Sequence, residues 1–368
     1  MDDSRTTRIA EFFHPLRARP ARHLATLALV TVACVGCTSS GSTATPAAGV
    51  TATVVSGQAA SLQDAYISVI HQVLPSVVEI TTSSGLGSGV VYDTAGDIVT
   101  NAHVVGDATS FQVLLTGSAK PLPAQLVGSY PPDDLAVIRV QGAAHLVPAH
   151  FADSSKLQVG DIVLAMGNPL GLASSTTDGI ISAIGRTVSE PQESGSPGAT
   201  LPDVIQTSAA INPGNSGGAL VNLAAQVVGI PTLAATDEQL GGGAAPGIGF
   251  AIPSNIVTDI AGQIIKTGHV SNSHRAALGV RVQTVAGPNG QPAGVGIATV
   301  TPGGPAATAG LQPGDVITSV NGTATPDTEA LTAVLANLSP GQQVSVAVTK
   351  PDGSTTTVNV TLGQLPGS

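Results

Sequence analysis

The sequence predicts a mainly β protein, on three observations. From Ser76 to about Pro253, short apolar runs alternate with glycine- and proline-marked turns. β-branched residues and glycine abound while Lys and Glu, which favour helix, are scarce. No helical stretches separate the runs, so an antiparallel barrel or sandwich is expected in place of a parallel α/β sheet. At 368 residues the chain has room for two or three domains, each with a sizeable core.

Residues 1–37 read as a targeting segment. An arginine-rich start leads to an uncharged, mostly apolar run from Leu24 to Gly36. That run falls short of the roughly 20 residues a bilayer span needs and suits the apolar core of a signal peptide. Val35-Gly36-Cys37 followed by Thr-Ser-Ser resembles a bacterial lipoprotein cleavage box, in which Cys37 would be lipidated. Cys34 stands where that box usually has an aliphatic residue, so an uncleaved anchor is the alternative. Either way the body is expected outside the cytoplasm, membrane-associated at the cell envelope. Both cysteines lie in this segment, which leaves the folded part without a disulfide or a cysteine metal site.

The formal net charge is -10. Setting aside the five basic and three acidic residues before Leu24 leaves a body of 8 basic and 20 acidic residues. An acidic body with no basic stripe argues against a nucleic-acid partner.

Residues 38–60, uncharged and rich in Ser, Thr, Gly, Ala and Pro, read as a disordered tether. A first helix is expected from Ser61, with Ser61 and Asp64 as its cap and Leu62, Tyr66, Val69, Ile70 and Val73 at helical spacing. Pro75 ends it. Strands are expected at Val77–Thr81, Gly89–Tyr92, Asp97–Thr100, Phe111–Leu115, Ala124–Gly128 and Leu135–Val140. A second group follows at Ile162–Met166, Gly179–Ile184, Ala219–Val221, Val227–Pro231 and Gly249–Ile252. Two polar, glycine-rich stretches, Ser189–Leu201 and Thr236–Pro246, read as long loops, which are functional or tolerated insertions.

Chemistry concentrates at Ile211-Asn-Pro-Gly-Asn-Ser216-Gly-Gly. A serine among glycines can stand exposed, with backbone N–H groups aimed where an oxyanion would form. A hydrolase elbow would need strand–Ser–helix flanks, which are absent. The base must be a histidine. Of eight, His14 and His23 lie in the targeting segment and His269 and His274 in a later connection. His71 sits on the first helix, and His145 and His150 flank a loop. His103 remains, where a strand meets a loop and a side chain can face a cleft. For the orienting acid, Asp134 directly precedes a buried strand, whereas Asp133 reads as a solvated loop acid. No His/Cys/Asp cluster has metal-ligand spacing, so neither metal nor cofactor is expected.

Thr100-Asn-Ala-His103, Asp134-Leu-Ala-Val-Ile and Ile211 to Leu220 follow the order His, Asp, Ser. With Gly85-Leu-Gly-Ser-Gly-Val and Gly249-Phe-Ala-Ile-Pro, they resemble the trypsin-like serine proteases of the HtrA/Deg family, from about residue 65 to the C-terminus. The resemblance implies a chymotrypsin/trypsin-like double β-barrel protease domain over 61–270. It makes Ser216 the nucleophile, His103 the base, Asp134 the orienting acid, and the N–H groups of Gly214 and Ser216 the oxyanion hole. Asn215 replaces the aspartate with which digestive relatives capture a new amino terminus, so activation by cleavage is not expected; in this family loop ordering serves instead. Ile211 and Leu233 would line the primary specificity pocket and favour small or medium aliphatic residues. Two departures from the family pattern, Ser208 for Asp and Pro231 for Asn, bear on loop ordering and substrate preference, while the retained Thr232 is implied by the resemblance to bond Asp134.

After a helix expected at Ser254–Lys266 and a polar connection, a second domain is expected over 274–368. It carries Gly310-Leu-Gln-Pro-Gly-Asp-Val-Ile, a turn at Asn321-Gly322, a helix from about Pro326 and strands at Gln343–Thr349 and Thr355–Leu362. These resemble a PDZ domain in its circularly permuted bacterial form. The resemblance implies that Leu278-Gly279-Val280 captures the carboxylate of hydrophobic C-terminal peptides, which add a strand to the sheet edge. The function implied is an exported, ATP-independent serine endopeptidase acting on unfolded or misfolded proteins, as a homotrimer or larger. The competing class is a catalytically quiet chaperone or PDZ adaptor on the same scaffold, against which the intact triad weighs.

Overall fold

The computed structural model describes residues 56–83, 85–142, 146–168, 175–190, 199–212, 214–237 and 243–367. Cys37 and His145 lie outside them. Helix α1 (Ser56–Val73) begins ahead of the expected Ser61 cap, so Ser61 lies inside it and residues 56–60 are helical. The stretch read as tether includes Ala59 and Ala60, which propagate a helix well once tertiary contacts start one.

Six strands close a first antiparallel barrel in the order β1-β2-β3-β6-β5-β4. They are β1 (Val77–Thr81), β2 (Leu86–Val91), β3 (Asp97–Thr100), β4 (Ser110–Leu115), β5 (Leu122–Tyr130) and β6 (Leu135–Val140). One-turn helix α2 (Ala102–Val105) follows β3. A second closed barrel, in the order β10-β11-β12-β9-β8-β7, comprises β7 (Ile162–Gly167), β8 (Ser175–Glu190), β9 (Ala199–Thr207), β10 (Ala219–Asn222), β11 (Val227–Asp237) and β12 (Gly243–Pro253). Both expected long loops are shortened by strands that run on into them: β8 reaches Glu190, β9 starts at Ala199, β11 reaches Asp237 and β12 starts at Gly243. Pro202 and Asp203 mask β9 in the sequence. Asp203 adopts a left-handed φ of 60°, and the β8–β9 register shifts between Arg186 and Val188.

Each barrel fills its own interior. Ile80, Ile98, Phe111 and Ile138 pack inside the first, and Ile181, Ile205, Leu220 and Val228 inside the second. A third cluster joins Val77, Val99 and Leu135 of the first barrel to Leu164, Val221 and Ile230 of the second. Helix α3 (Ser254–Thr267) presses Val257, Ile260 and Ile264 into that cluster, and Gly268 caps it at φ 79°. The seam between the barrels is therefore solid core on one side. The site occupies that junction.

The C-terminal domain has its own core. Its short strands are β13 (Ala276–Ala277) and, at the end, β20 (Gly363–Gln364), which pair. Its main sheet runs β14 (Val280–Ala286), β15 (Pro292–Val300), β16 (Val316–Val320), β18 (Gln343–Thr349) and β19 (Thr355–Thr361). Hairpin strand β17 (Thr323–Ala324) folds back on β16 through Asn321-Gly322, both at positive φ, as that turn requires. One-turn helix α4 (Pro305–Thr308) precedes β16, and α5 (Thr328–Ala336) starts at an Asp327 cap whose side chain accepts from Ala330 N–H at 2.8 Å. Among the described residues no helix is long and apolar enough to cross a membrane.

Candidate active site

Asp134 is fixed before its side chain is considered. The 3-10 turn Pro131–Asp133 ends on it, its N–H donates to the Pro131 carbonyl at 3.0 Å, and its φ of 49° and ψ of 41° are left-handed. Non-glycine residues hold that conformation where neighbours impose it. The neighbours are polar: Asn101 Nδ2 and Ala102 N–H both donate to the Asp134 carbonyl, at 3.0 and 3.1 Å. The start of α2, which carries His103, is thereby bolted to the turn that carries the acid.

The carboxylate accepts three donors. His103 N–H reaches Oδ1 at 2.9 Å, His103 Nδ1 lies 3.0 and 2.9 Å from the two oxygens, and Thr232 Oγ1 donates to Oδ2 at 2.5 Å. Asp134 is 3% exposed and His103 21%. An acid on Nδ1 makes that nitrogen the N–H and leaves Nε2 as the acceptor a general base needs.

Ser216 comes to the same place from the second barrel. Its Oγ donates to the Thr232 carbonyl at 3.2 Å. Thr232 thus joins nucleophile and acid, its carbonyl to Ser216 and its hydroxyl to Asp134. The surrounding turn is held by hydrogen bonds. Gly218 N–H donates to the Asn215 carbonyl at 3.0 Å, which turns the Ser216 N–H the opposite way, since C=O and N–H of a trans peptide are opposed. Gly214 has φ 107°, and its carbonyl accepts from Ser88 Oγ at 2.5 Å. A Cβ at Gly217 would strike the Ser88 carbonyl and the Thr100 hydroxyl, so the turn closes on the first barrel only with glycine there.

Asn215 is buried and uses both ends of its amide: Oδ1 accepts from Asn212 N–H at 3.0 Å and Nδ2 donates to the Ala210 carbonyl at 3.0 Å. Both bonds are neutral and lie within the chain. Pro231 adds a carbonyl that accepts from Gly217 N–H at 3.0 Å, and the β11–β12 register shifts just beyond it, where a residue without an N–H is tolerated. Ser208 Oγ accepts from Ile180 N–H at 3.0 Å. Ile211 is buried with the core of the second barrel, and the Leu233 side chain lies outside the described atoms.

At the site the expectation for Asp133 fails. Asp133 is not solvated: it is buried and pairs with Arg275 Nη1 at 2.8 Å. Burial raises its carboxyl above the usual range, against the pull of Arg275. The partner lies far along the chain, so no local pattern could reveal it. Sequence reasoning also left Ser88, Thr100 and Asn101 without roles. Ser88 sits within Gly85-Leu-Gly-Ser-Gly-Val, and its hydroxyl both donates to Gly214 and accepts from Asn168 N–H at 2.8 Å. A serine inside a glycine motif was the available signal.

In the C-terminal domain a groove of about 290 Å³ lies between β14 and α5. Leu278, Gly279 and Val280 line one side and Leu331 and Leu335 the other. β14 is an edge strand, open to pairing with an added peptide. Gly279 takes φ 72°, which lets the loop turn over the groove's end.

The chain is similar to known proteins over most of its length. Residues 87–230 match the trypsin-like peptidase domain and residues 276–362 the PDZ domain. The chain is similar to the serine protease PepD of Mycobacterium tuberculosis, 40% identical over 314 residues that cover 80% of this chain and 65% of PepD. It is 40% identical over 297 residues to the Do-like serine protease HtrA of Lactococcus lactis, covering 76% of this chain and 71% of that one. With the periplasmic serine endoprotease DegP of Escherichia coli the identity is 39% over 76% of this chain, which spans 57% of DegP. Among solved structures, the HtrA-type protease AlgW with a decapeptide superposes with a TM-score of 0.54 at 32% identity, covering 82% of this chain and 99% of AlgW.

Proposed function

Since this chain belongs to the HtrA family of trypsin-like serine proteases, we propose that it is an ATP-independent serine endopeptidase of unfolded or misfolded proteins. The observation that supports this reading is the meeting of His103 Nδ1 with Asp134 at 2.9 Å while Thr232 joins Asp134 to Ser216.

In the proposed reaction His103 Nε2 takes the Ser216 hydroxyl proton as Oγ attacks the peptide carbonyl. Asp134 holds the imidazole in place and stabilises its charged form. The N–H groups of Gly214 and Ser216 receive the oxyanion, each donor contributing about 3–4 kcal/mol in comparable enzymes. The protonated His103 then gives its proton to the leaving amine, and water repeats the sequence to release the acyl chain. Ile211 and Leu233 are proposed to line the primary specificity pocket. Leu278, Gly279 and Val280 are proposed to receive the C-terminal carboxylate of hydrophobic peptides, an assignment supported by the adjoining apolar groove.

The proposal places the working part, from the α1 helix onward, outside the cytoplasm as a homotrimer or larger assembly. Residues 1–37 serve as signal or anchor, with Cys37 the candidate for lipidation. The protease domain ends near residue 270 and the PDZ domain begins near residue 274.

The test is degradation of an unfolded protein such as reduced casein by the full chain beside Ser216→Ala. Cleavage by the first is expected, and a loss on the order of 10⁶-fold in kcat for the second. Suppression of aggregation by both without cleavage by either, even with hydrophobic C-terminal peptides added, would replace the protease with a chaperone.

A further inference from the structure

The turn that aims Asp134 is held from outside the protease barrels. Arg275 stands directly ahead of β13, at the entrance to the C-terminal domain, and its guanidinium makes three contacts across the junction. Nη1 donates to Asp133 Oδ1 at 2.8 Å and to the Pro132 carbonyl, and Nη2 donates to the Thr200 carbonyl on β9 at 2.7 Å. Arg275 and Asp133 side chains are 10% and 9% exposed, so the fork is shielded from water. Two of the three acceptors belong to Pro131–Asp133, the turn whose end is Asp134.

The other end of Arg275 is fastened too. Its carbonyl accepts from Leu365 N–H at 2.7 Å, and the preceding Ser273 hydroxyl donates to the Leu365 carbonyl at 2.8 Å. The connection from α3 is tied down by Gln263, whose Oε1 accepts from Ser271 and Asn272 N–H at 3.0 and 2.8 Å. A planar fork with both ends anchored can hold a turn in a left-handed conformation that the turn's own residues disfavour.

We propose that Arg275, supplied from the start of the PDZ domain, is a positioning residue for the Asp134–His103 pair of the protease domain. It touches neither substrate nor reacting atoms. It fixes the Pro132–Asp133 backbone and β9 in one geometry, and thereby the direction of the Asp134 carboxylate toward His103 Nδ1. The inference rests on the reading of His103 and Asp134 as base and orienting acid.

The experiment uses the full chain, with kcat and KM on one unfolded protein substrate and the downfield proton NMR signal of the His103 Nδ1–H. The wild type is measured beside Arg275→Ala and Arg275→Lys. A misplaced orienting acid is expected to cost about 10²-fold in kcat for Arg275→Ala, with KM within about twofold and the Nδ1–H signal shifted or lost. Arg275→Lys keeps a charge beside Asp133 but loses the fork, and is expected to fall between the two. A residue of purely structural importance would lower the melting temperature and leave kcat of the folded enzyme and the Nδ1–H signal unchanged; that result overturns the proposal. So does a defect confined to KM. If Arg275→Ala does not fold, Arg275→Lys decides by the same readouts. If the wild type cuts nothing, the reading as a protease fails, and the Nδ1–H signal alone still tests the placement: unchanged in the variants, it sinks the inference.

Discussion

Thr232 links the acid of the first barrel to the serine of the second. One side chain and its own carbonyl reach both Asp134 and Ser216, so the two barrels exchange their contributions through it. The Thr232 hydroxyl is one of the carboxylate's three donors, and a hydrogen bond to a charged group is worth about 1.5–3 kcal/mol. Thr232→Val keeps the shape and the carbonyl while deleting the hydroxyl. It is expected to lower kcat by about 10- to 100-fold, from that same energy, with little change in KM. Steady-state kinetics on a peptide substrate checks this, and an unaltered kcat would show that Asp134 is held adequately without Thr232. The triad residues themselves stood out in the sequence because their flanks are local: a β-run before His103, a buried strand after Asp134, glycines around Ser216. Thr232 carries no flank of that kind, and only the family resemblance pointed to it as a partner of Asp134.

At the scale of elements, α3 shows how periodicity and burial agree. Ile256, Ile260 and Ile264 recur at one-turn spacing, and the helix observed, Ser254–Thr267, buries Val257, Ile260 and Ile264 against strands of both barrels. Ile260→Ala is expected to destabilise the protein by about 2–5 kcal/mol, because the seam cannot collapse to fill the void. Chemical denaturation measures it, and a loss below about 1 kcal/mol would mean that the seam repacks. β9 shows the opposite case. Its Pro202 and left-handed Asp203 break the alternation that identifies a strand, yet pairing with β8 and β12 supplies what the local pattern lacks. Strand identity there is decided by partners, not by propensity.

For the whole molecule, the burial of Asp133 makes stability depend on pH. Burial raises the Asp133 carboxyl above its unfolded value, so the folded state binds this proton more tightly than the unfolded state does. Stability contributed through Asp133 therefore grows as pH falls through the raised folded value, and is absent when pH lies well above it. Asp133→Asn removes that dependence. Melting temperatures of wild type and variant from pH 7 down to about pH 4 are expected to shift progressively in favour of the wild type. A difference that stays constant, or moves the other way, contradicts the assignment. Both proteins must be compared at equal concentration, since the sequence isoelectric point near 5.0 lies in this window and low net charge promotes association.

Fold class, the order His103, Asp134, Ser216, the glycine turn and the two matched domains were all legible in the sequence, because each is written in residues close together along the chain. Only the folded structure shows that Ser88 and Thr100 pin the turn. It alone extended β8, β9, β11 and β12 into stretches that read as loops, and buried Asp133 under Arg275. The physical reason is the same in each case: a hydrogen bond or ion pair between residues far apart in sequence is set by how the barrels close. That closure depends on all the strands together.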